Sequence, residues 1–320
     1  MIKYESPGPV ADRFLLSNAF IRGIRGPVGS GKSAACIIDI WQTAQVQKPD
    51  SEGIRRYRGL IIRNTYGELE STTIKFFLMW FPDTLGRLTY GAPITYILKA
   101  SLPDGIILEA EFLFLALDRP EHMRKLLSLE VTQAWINEAR EIPKAILDTL
   151  TGRLRYPPMM HGGPVRAGII MDTNSMDAEH WWPKLADLSD DAMKEQTRKL
   201  EEELRGMGQL PEGQRLMEFF TQPSAELLDG KQNPDAENIK NLPPGYYVTS
   251  KVGKSDEWIK VYIRNEYSFI MDGKAVYPEY RDNLHAVAYS IVPTLPLHIG
   301  MDFGLTPAAV FAQRSPLWAT

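Results

Sequence analysis

The sequence has little of what builds disulfide or metal frameworks, since Cys36 is its only cysteine. One thiol excludes a disulfide framework and any site with several cysteine ligands, and we expect Cys36 to be a small buried apolar residue. No run of about 18 apolar residues occurs, and residues 1–12 lack the apolar core of a signal peptide. We therefore expect a soluble, intracellular protein without a membrane partner.

An excess of positive charge is also missing, because 36 Lys and Arg stand against 40 Asp and Glu. Without a global positive field, any contact with DNA must come from local patches. What the chain does have is length and apolar content, with 320 residues of which 44% are hydrophobic. This size exceeds the usual single domain and predicts a large core with a smaller second part.

Predicted strands alternate with predicted helices through the first half of the chain. Such alternation indicates an α/β fold with a central, mainly parallel sheet. The turn sequence at residues 103–105 separates two extended runs and predicts a hairpin inserted between the parallel strands. Strands are predicted at 19–25, 57–63, 95–98, 106–115, 131–136 and 168–171, and helices at 33–47, 69–80, 120–127 and 143–150.

The composition changes towards the carboxyl end. Residues 1–244 are predicted to form the main domain, in which residues 177–207 are charged helices and 210–244 are irregular, so that 177–244 is a lid-like part. A second unit is predicted at 245–320. It has extended runs at 246–248 and 267–270 and strands at 297–301 and 308–313.

A glycine-rich loop at residues 26–33 reads GPVGSGKS and fits the phosphate-binding pattern Gly-x-x-x-x-Gly-Lys-Ser/Thr. It lies between a predicted strand and a predicted helix, the context that separates a P-loop from an ordinary glycine-rich turn. In such a loop backbone N–H groups surround the phosphates, Lys32 reaches the β and γ oxygens, and Ser33 contacts Mg²⁺. The predicted nucleotide-binding residues are Gly26, Gly29, Ser30, Gly31, Lys32 and Ser33.

A P-loop ATPase also needs a carboxylate near Mg²⁺ and a glutamate that orients or deprotonates the attacking water. The strand at 131–136 is followed by Asn137 and Glu138. Glu138 is the predicted catalytic base, with Glu141 as the alternative. Asn137 stands where an aspartate is expected and can only hydrogen-bond a metal-bound water. Without the P-loop, the same pair would merely begin a surface loop.

The strand at 168–171 ends in Asp172, Thr173, Asn174 and Ser175. Small polar side chains at the carboxyl end of a parallel strand are placed to sense the γ-phosphate. An ordinary strand-to-helix turn capped by Asp or Asn explains them equally well on spacing alone.

In this order, the motifs of the chain resemble those of the large terminase subunit of tailed bacteriophages, the ATPase that drives DNA into the capsid. The resemblance implies ATP and Mg²⁺ as cofactors, Glu138 as the catalytic glutamate, and a coupling motif at Thr173 and Asn174. It also implies an arginine from a neighbouring subunit, for which Arg119 and Arg124 are candidates unless they are simply solvated. The matching stretches are residues 26–33, 63–66 with Leu69, 134–141, 152–157, Asn174 with 180–182, and 299–307.

Several partners are implied by the same resemblance. They are double-stranded DNA, a small terminase subunit and the portal protein of the procapsid, met by a homo-oligomeric ring in the host cytoplasm that is not a stable part of the virion. One departure is the segment 7–10, Pro-Gly-Pro-Val, where the family commonly has an adenine-reading glutamine. The adenine contact is therefore not identified.

Residues 299–307 resemble the opening of the family's ribonuclease H-like nuclease domain, with Asp302 as the first ligand of two Mg²⁺ or Mn²⁺ ions. Residues 303–320 contain no Asp or Glu, and one carboxylate cannot hold a metal pair. We therefore expect a truncated chain without nuclease activity.

Three other functions share the P-loop. A helicase or similar motor would be stimulated by DNA without procapsids, and a small-molecule kinase would phosphorylate an acceptor. A nucleotide-gated module without turnover would release no phosphate.

Overall fold

A computed structural model describes residues 4–117, 120–187, 191–268, 290–302 and 308–314. The chain divides into two compact units, Met1–Ile270 and Met271–Thr320. Among the described residues, no helix is long and apolar enough to cross a membrane. The strands are β1 (Ile21–Arg25), β2 (Ile54–Arg63), β3 (Gly86–Thr89), β4 (Ile94–Ser101), β5 (Ile107–Ala116), β6 (Gln133–Asn137), β7 (Gly168–Thr173), β8 (Met217–Thr221), β9 (His298–Asp302) and β10 (Ala308–Ala312).

Helices lie between most of these strands. The segment Leu69–Ile74 is π-helical and joins two of them, and short 3₁₀ turns occur at Ala139–Glu141, Thr151–Arg153, Met159–His161 and Ile239–Asn241. The α-helices are α1 (Pro9–Leu16), α2 (Lys32–Gln45), α3 (Tyr66–Glu68), α4 (Lys75–Trp80), α5 (Pro120–Leu127), α6 (Lys144–Leu150), α7 (Trp181–Ala186), α8 (Asp191–Gly206), α9 (Tyr246–Thr249) and α10 (Asp256–Tyr262).

The first unit is built on one sheet in the order β3-β4-β5-β2-β6-β7-β1-β8. From β5 to β8 all neighbours are parallel, whereas β3 and β4 are antiparallel additions at one edge. The predicted α/β class and the predicted hairpin are both confirmed. The carboxyl ends of the parallel strands therefore meet along one edge of the sheet, where ligands bind in open α/β folds.

Alternate residues of the central strands bury side chains on opposite faces of the sheet. Ile61 and Trp135 pack with α1, α2 and α4, and Leu60 and Ile136 pack with α5, α6 and α7. Each fully buried Leu or Ile contributes about 1.5–3 kcal/mol relative to exposure. Cys36, on α2, is fully buried as predicted.

A buried ionic cluster fixes α2 against β1, the two elements that flank the glycine-rich loop. Arg22 of β1 donates two hydrogen bonds to Asp39 of α2, at 2.5 and 2.8 Å. The same carboxylate accepts from Arg166 at 2.9 Å and from Gln133 at 2.6 Å. Both members of the first pair are buried, so the loop between them starts and ends on a fixed frame.

Residues 177–244 differ in part from the predicted lid-like helical segment. The exposed charged helix α8 is present, but residues 217–221 form β8, which extends the parallel sheet beside β1. The prolines and glycines around this short strand hide it in the sequence. It is held in register with Ile21–Arg25 by backbone pairing, a tertiary effect.

The first unit also continues past the predicted boundary at residue 244, to Ile270. Residues 246–249 form the short helix α9 rather than an extended run. Two contacts tie this segment to the glycine-rich loop: the Tyr247 hydroxyl donates to the carbonyl of Val28 at 3.0 Å, and the Val28 N–H donates to the carbonyl of Tyr262 at 2.8 Å.

The second unit contains the predicted strand pair. Strands β9 and β10 are antiparallel, and Asp302, the last residue of β9, is the backbone partner of Ala308. Ile299 and Phe311 are exposed in this hairpin. A ribonuclease H-like domain beginning here stays a prediction.

Candidate functional site

A cavity of about 920 Å³ lies at the carboxyl ends of the parallel strands. Its volume suits a ligand the size of a nucleotide. The structure brings most of the residues singled out in the sequence to its walls. They are Gly29, Ser30, Gly31, Lys32, Ser33, Asn137, Glu138 and Asn174, joined by Arg63, Thr73, Trp135 and others that the sequence had not assigned.

The glycine-rich loop has the backbone that its glycines permit. Gly29 and Gly31 have positive φ angles of 76° and 85°, which a side chain would strain. Gly31 is the N-cap of α2, so no N-cap side chain competes for the amide groups of its first turn. These amides and the positive end of the helix dipole form an anion site that opens into the cavity.

Gln222, directly after β8, holds the loop in place. Its Oε1 accepts from the Ser30 hydroxyl at 2.7 Å, and its Nε2 donates to the carbonyl of Ser30 at 3.0 Å. Nε2 also donates to Glu237, a buried carboxylate that accepts from the N–H of Val10. A side chain at Gly26 would collide with Gln222, which explains the first glycine of the motif.

Lys32 is folded back onto the loop. Its ammonium donates to the carbonyls of Gly26 at 3.0 Å and Pro27 at 2.7 Å, and only 6% of the residue is exposed. Burial lowers the pKa of Lys32, while the nearby carboxylates of Glu138 and Asp172 oppose the shift. A buried cation with two neutral acceptors is placed to exchange them for phosphate oxygens.

The carboxylate beside Ser33 belongs to Asp172, on β7. The Ser33 hydroxyl donates to Asp172 Oδ2 at 2.5 Å, and the indole of Trp135 donates to Oδ1 at 2.7 Å. Asp172 is fully buried. The sequence noted this residue at a strand end but gave it no role, because it is 139 positions from Ser33.

Asn137 supports this carboxylate instead of contacting Ser33. Its Nδ2 lies 3.1 and 3.2 Å from the two oxygens of Asp172, and its Oδ1 accepts from the Thr73 hydroxyl at 2.8 Å. Thr73 lies on the π-helical segment, a rare conformation that is frequent at functional sites. The amide thus bridges the cavity wall and Asp172.

Glu138 reaches the cavity from a strained backbone, with φ 55° and ψ 58°. A left-handed residue other than glycine costs about 1–3 kcal/mol and is typical of functional sites. Burial and, next, the charge of Asp172 raise the pKa of Glu138, against the lowering effects of Lys32 and Arg63. Glu141, the alternative base, lies outside the cavity wall, 3.3 Å from Arg63.

Thr173 and Asn174 connect the glycine-rich loop to the turn that follows Glu138. Asn174 Nδ2 donates to the carbonyl of Gly26 at 2.9 Å, and the Gly26 N–H donates to the carbonyl of Thr173 at 3.2 Å. The Thr173 hydroxyl oxygen accepts from the N–H of Arg140 at 3.3 Å. Movement of the loop is therefore transmitted directly to the segment that carries the glutamate.

The arginine candidates are away from these contacts. Arg124 is exposed on α5, a helix rather than the expected loop, and does not line the cavity. Arg119 lies outside the described residues, as does the side chain of Asp302. Their roles stay predictions. Within the described residues, no cluster of three or more Asp, Glu, His or Cys could hold a metal ion.

No family model and no curated protein matches the chain. Among solved structures, the large terminase of a thermophilic bacteriophage matches 94% of this chain and 63% of its own, with 11% identity and a TM-score of 0.54. The fold is that of a phage large terminase.

Two other large terminases are similar at lower scores. The ATPase domain of the Thermus phage P74-26 protein has 16% identity and a TM-score of 0.49, covering 83% of this chain and 96% of that domain. The bacteriophage HK97 large terminase has 11% identity and a TM-score of 0.46, covering 82% and 50%. The chain thus spans less than two thirds of the length of the thermophilic bacteriophage protein that it matches at the higher score.

Proposed function

We propose that the chain is the ATPase motor of a phage large terminase, which hydrolyses ATP to move double-stranded DNA into a procapsid. The observation that carries the proposal is one cavity, at the carboxyl ends of the sheet, lined by the P-loop cation Lys32, by Ser33 with its Asp172 partner, and by Glu138. The large terminase of the thermophilic bacteriophage has been solved with ADP and with ATP-γ-S.

The residues present fit a magnesium ion brought by the nucleotide. Mg²⁺ prefers oxygen ligands and is usually held by one or two carboxylates together with substrate phosphates. Ser33 and Asp172 offer such a hydroxyl and carboxylate side by side. When bound, the ion neutralises charge that develops on the transferred phosphoryl group.

The chain's own groups perform the remaining work. The amides of Gly29 and Gly31 and the first turn of α2 bind phosphate oxygens, and Lys32 leaves the loop carbonyls to reach the β and γ oxygens. Glu138 positions the attacking water and accepts its proton. Tyr4, Phe76 and Trp80 line the cavity and offer aromatic surface for the base.

Coupling and assembly belong to the same proposal. Thr173 and Asn174 pass the state of the loop to the segment after Glu138, which supports the coupling role. An arginine of a neighbouring subunit, Arg119 or Arg124, completes each site in a ring around DNA. The partners are the small terminase subunit and the portal protein, and the location is the procapsid portal in the host cytoplasm.

Nuclease activity is not proposed for this chain. Asp302 is the first of the carboxylates that a two-metal nuclease requires, and residues 303–320 supply no further Asp or Glu. Incubation of the protein with supercoiled plasmid and Mn²⁺ tests this point, and metal-dependent nicking would contradict it.

Phosphate release from ATP tests the central proposal. We expect turnover that depends on Mg²⁺ and is lost in Lys32→Ala, with Arg155→Ala, an exposed arginine outside the cavity, as the control. Absence of turnover would favour a nucleotide-gated module, and transfer to an acceptor would indicate a kinase. Stimulation by procapsids with DNA, beyond that by DNA alone, separates a packaging motor from a helicase.

A further inference from the structure

We propose that Arg63 binds the γ-phosphate of the bound nucleoside triphosphate from within the same chain. The inference rests on the proposed function and assigns a residue that the sequence analysis had left without a role. Arg63 is the last residue of β2, so it lies at the same edge of the sheet as the glycine-rich loop, and it lines the same cavity.

The guanidinium of Arg63 is buried without being satisfied. Its Nε and Nη1 atoms have no hydrogen-bond partner, and 10% of the side chain is exposed. Among the described residues, it is the only arginine with two such nitrogens. Leaving a buried charged donor without an acceptor costs more than the roughly 1–3 kcal/mol of a neutral group.

The remaining nitrogen has only loose partners. Nη2 lies 3.3 Å from Glu141 Oε2 and 3.6 Å from Glu68 Oε1. Both distances exceed those of a well-formed charge-assisted hydrogen bond, about 2.7–2.9 Å. A phosphate group supplies the missing acceptors, because the planar guanidinium matches its oxygens with two parallel hydrogen bonds.

The position of Arg63 in the sheet selects the terminal phosphate. The strand order β2-β6-β7-β1 puts Arg63 beside the strand that carries Glu138 and three strands from the one that leads into the P-loop. At about 4.8 Å between strands, this separation is about 14 Å. The loop grips the chain of phosphates from one side, and Arg63 approaches from the side of the catalytic glutamate, where the γ-phosphate must lie for water to attack it.

The charge of Arg63 is already felt there, since it lowers the pKa of Glu138 against the dominant effect of burial. A role limited to orienting Glu138 or Glu141 would change turnover but would not make binding depend on the number of phosphates. Discrimination between diphosphate and triphosphate is therefore the decisive property.

Binding of fluorescent ADP and of fluorescent ATP-γ-S, each with Mg²⁺, tests the inference in Arg63→Ala, Arg63→Gln and Arg63→Lys. We expect the affinity for ATP-γ-S to fall about 10- to 100-fold in the alanine and glutamine variants and less in the lysine variant, with ADP affinity unchanged. Arg155→Ala is the matched control. Circular dichroism confirms folding, and Arg63→Gln and Arg63→Lys carry the test if the alanine variant unfolds.

Each outcome has a distinct meaning. If the wild-type chain binds both nucleotides and the folded variants keep the wild-type ratio of the two affinities, the Arg63 inference is overturned while the ATPase proposal stands. An equal loss of ADP and ATP-γ-S binding also overturns it, because it indicates a general defect of the cavity. If the wild-type chain binds neither nucleotide, the proposed function itself fails.

Discussion

Replacing Asp172 by asparagine tests which residue provides the carboxylate near the metal. The side chain keeps its shape, but the charge is lost and one acceptor becomes a donor. Because Trp135 donates to Oδ1 at 2.7 Å, the new amide NH₂ group must face Ser33, whose hydroxyl can rotate and accept. The serine lone pair that faced the cavity is then engaged by the protein.

The expected effect follows from these contacts. Loss of an outer partner of a metal site typically lowers metal affinity or activity about 10- to 100-fold. Loss of a hydrogen bond to a charged group destabilises the fold by about 1.5–3 kcal/mol. We therefore expect Asp172→Asn to raise the Mg²⁺ concentration for half-maximal ATPase activity about 10- to 100-fold. Nucleotide binding in excess EDTA should stay close to that of the wild-type chain.

Titration of ATPase activity with MgCl₂ at constant ATP measures this shift, and urea unfolding measures the loss of stability. Asn137→Ala is the matched control, because it removes one donor to Asp172 and leaves the carboxylate in place. We expect its Mg²⁺ dependence to move less than about tenfold, in keeping with one neutral hydrogen bond of about 1 kcal/mol. The reasoning is refuted if Asp172→Asn leaves the Mg²⁺ dependence unchanged, or if Asn137→Ala shifts it more.

Three further predictions concern the other groups. Glu138→Gln should lower turnover by at least about 100-fold and leave ATP-γ-S binding intact, and wild-type phosphate release in this variant would remove Glu138 as the base. Since burial raises the pKa of Glu138, turnover should fall as the pH drops through a value above the ordinary one of a glutamate, about 4.3, and a profile that is flat down to that pH would contradict the assignment. Asp39→Ala leaves the buried Arg22 without its partner and should cost about 3–5 kcal/mol in urea unfolding, whereas a loss below about 1 kcal/mol would show that the cluster is not structural.

Local signals made the fold class and half of the site predictable. The glycine pattern at residues 26–33 carries its own strand and helix, and the strand before Glu138 is a continuous apolar run. Such features depend on neighbours within a few residues. The hairpin could also be predicted, because its turn sequence at 103–105 specifies a reversal that the structure confirms.

Features that depend on distant parts of the chain were missed. Residues 217–221 become a strand only because β1 offers them a parallel partner, and residues 246–249 are ordered on the glycine-rich loop through Tyr247. Gln222 is 192 positions from the serine that it holds. Arg63 was noticed in a motif, but its unsatisfied guanidinium is a property of burial that no local pattern reports.

The relation between Asn137 and Asp172 shows why the metal carboxylate could not be predicted from one strand. The two residues are direct partners across the parallel pair β6 and β7. Paired residues of adjacent strands point to the same face of the sheet and are about 4.8 Å apart, so a carboxylate on either strand can reach the P-loop serine. A change from Asp to Asn on β6 therefore need not weaken the site when β7 carries an aspartate in register. The missing charge at position 137, which suggested a weaker magnesium site, is supplied by its neighbour in the sheet.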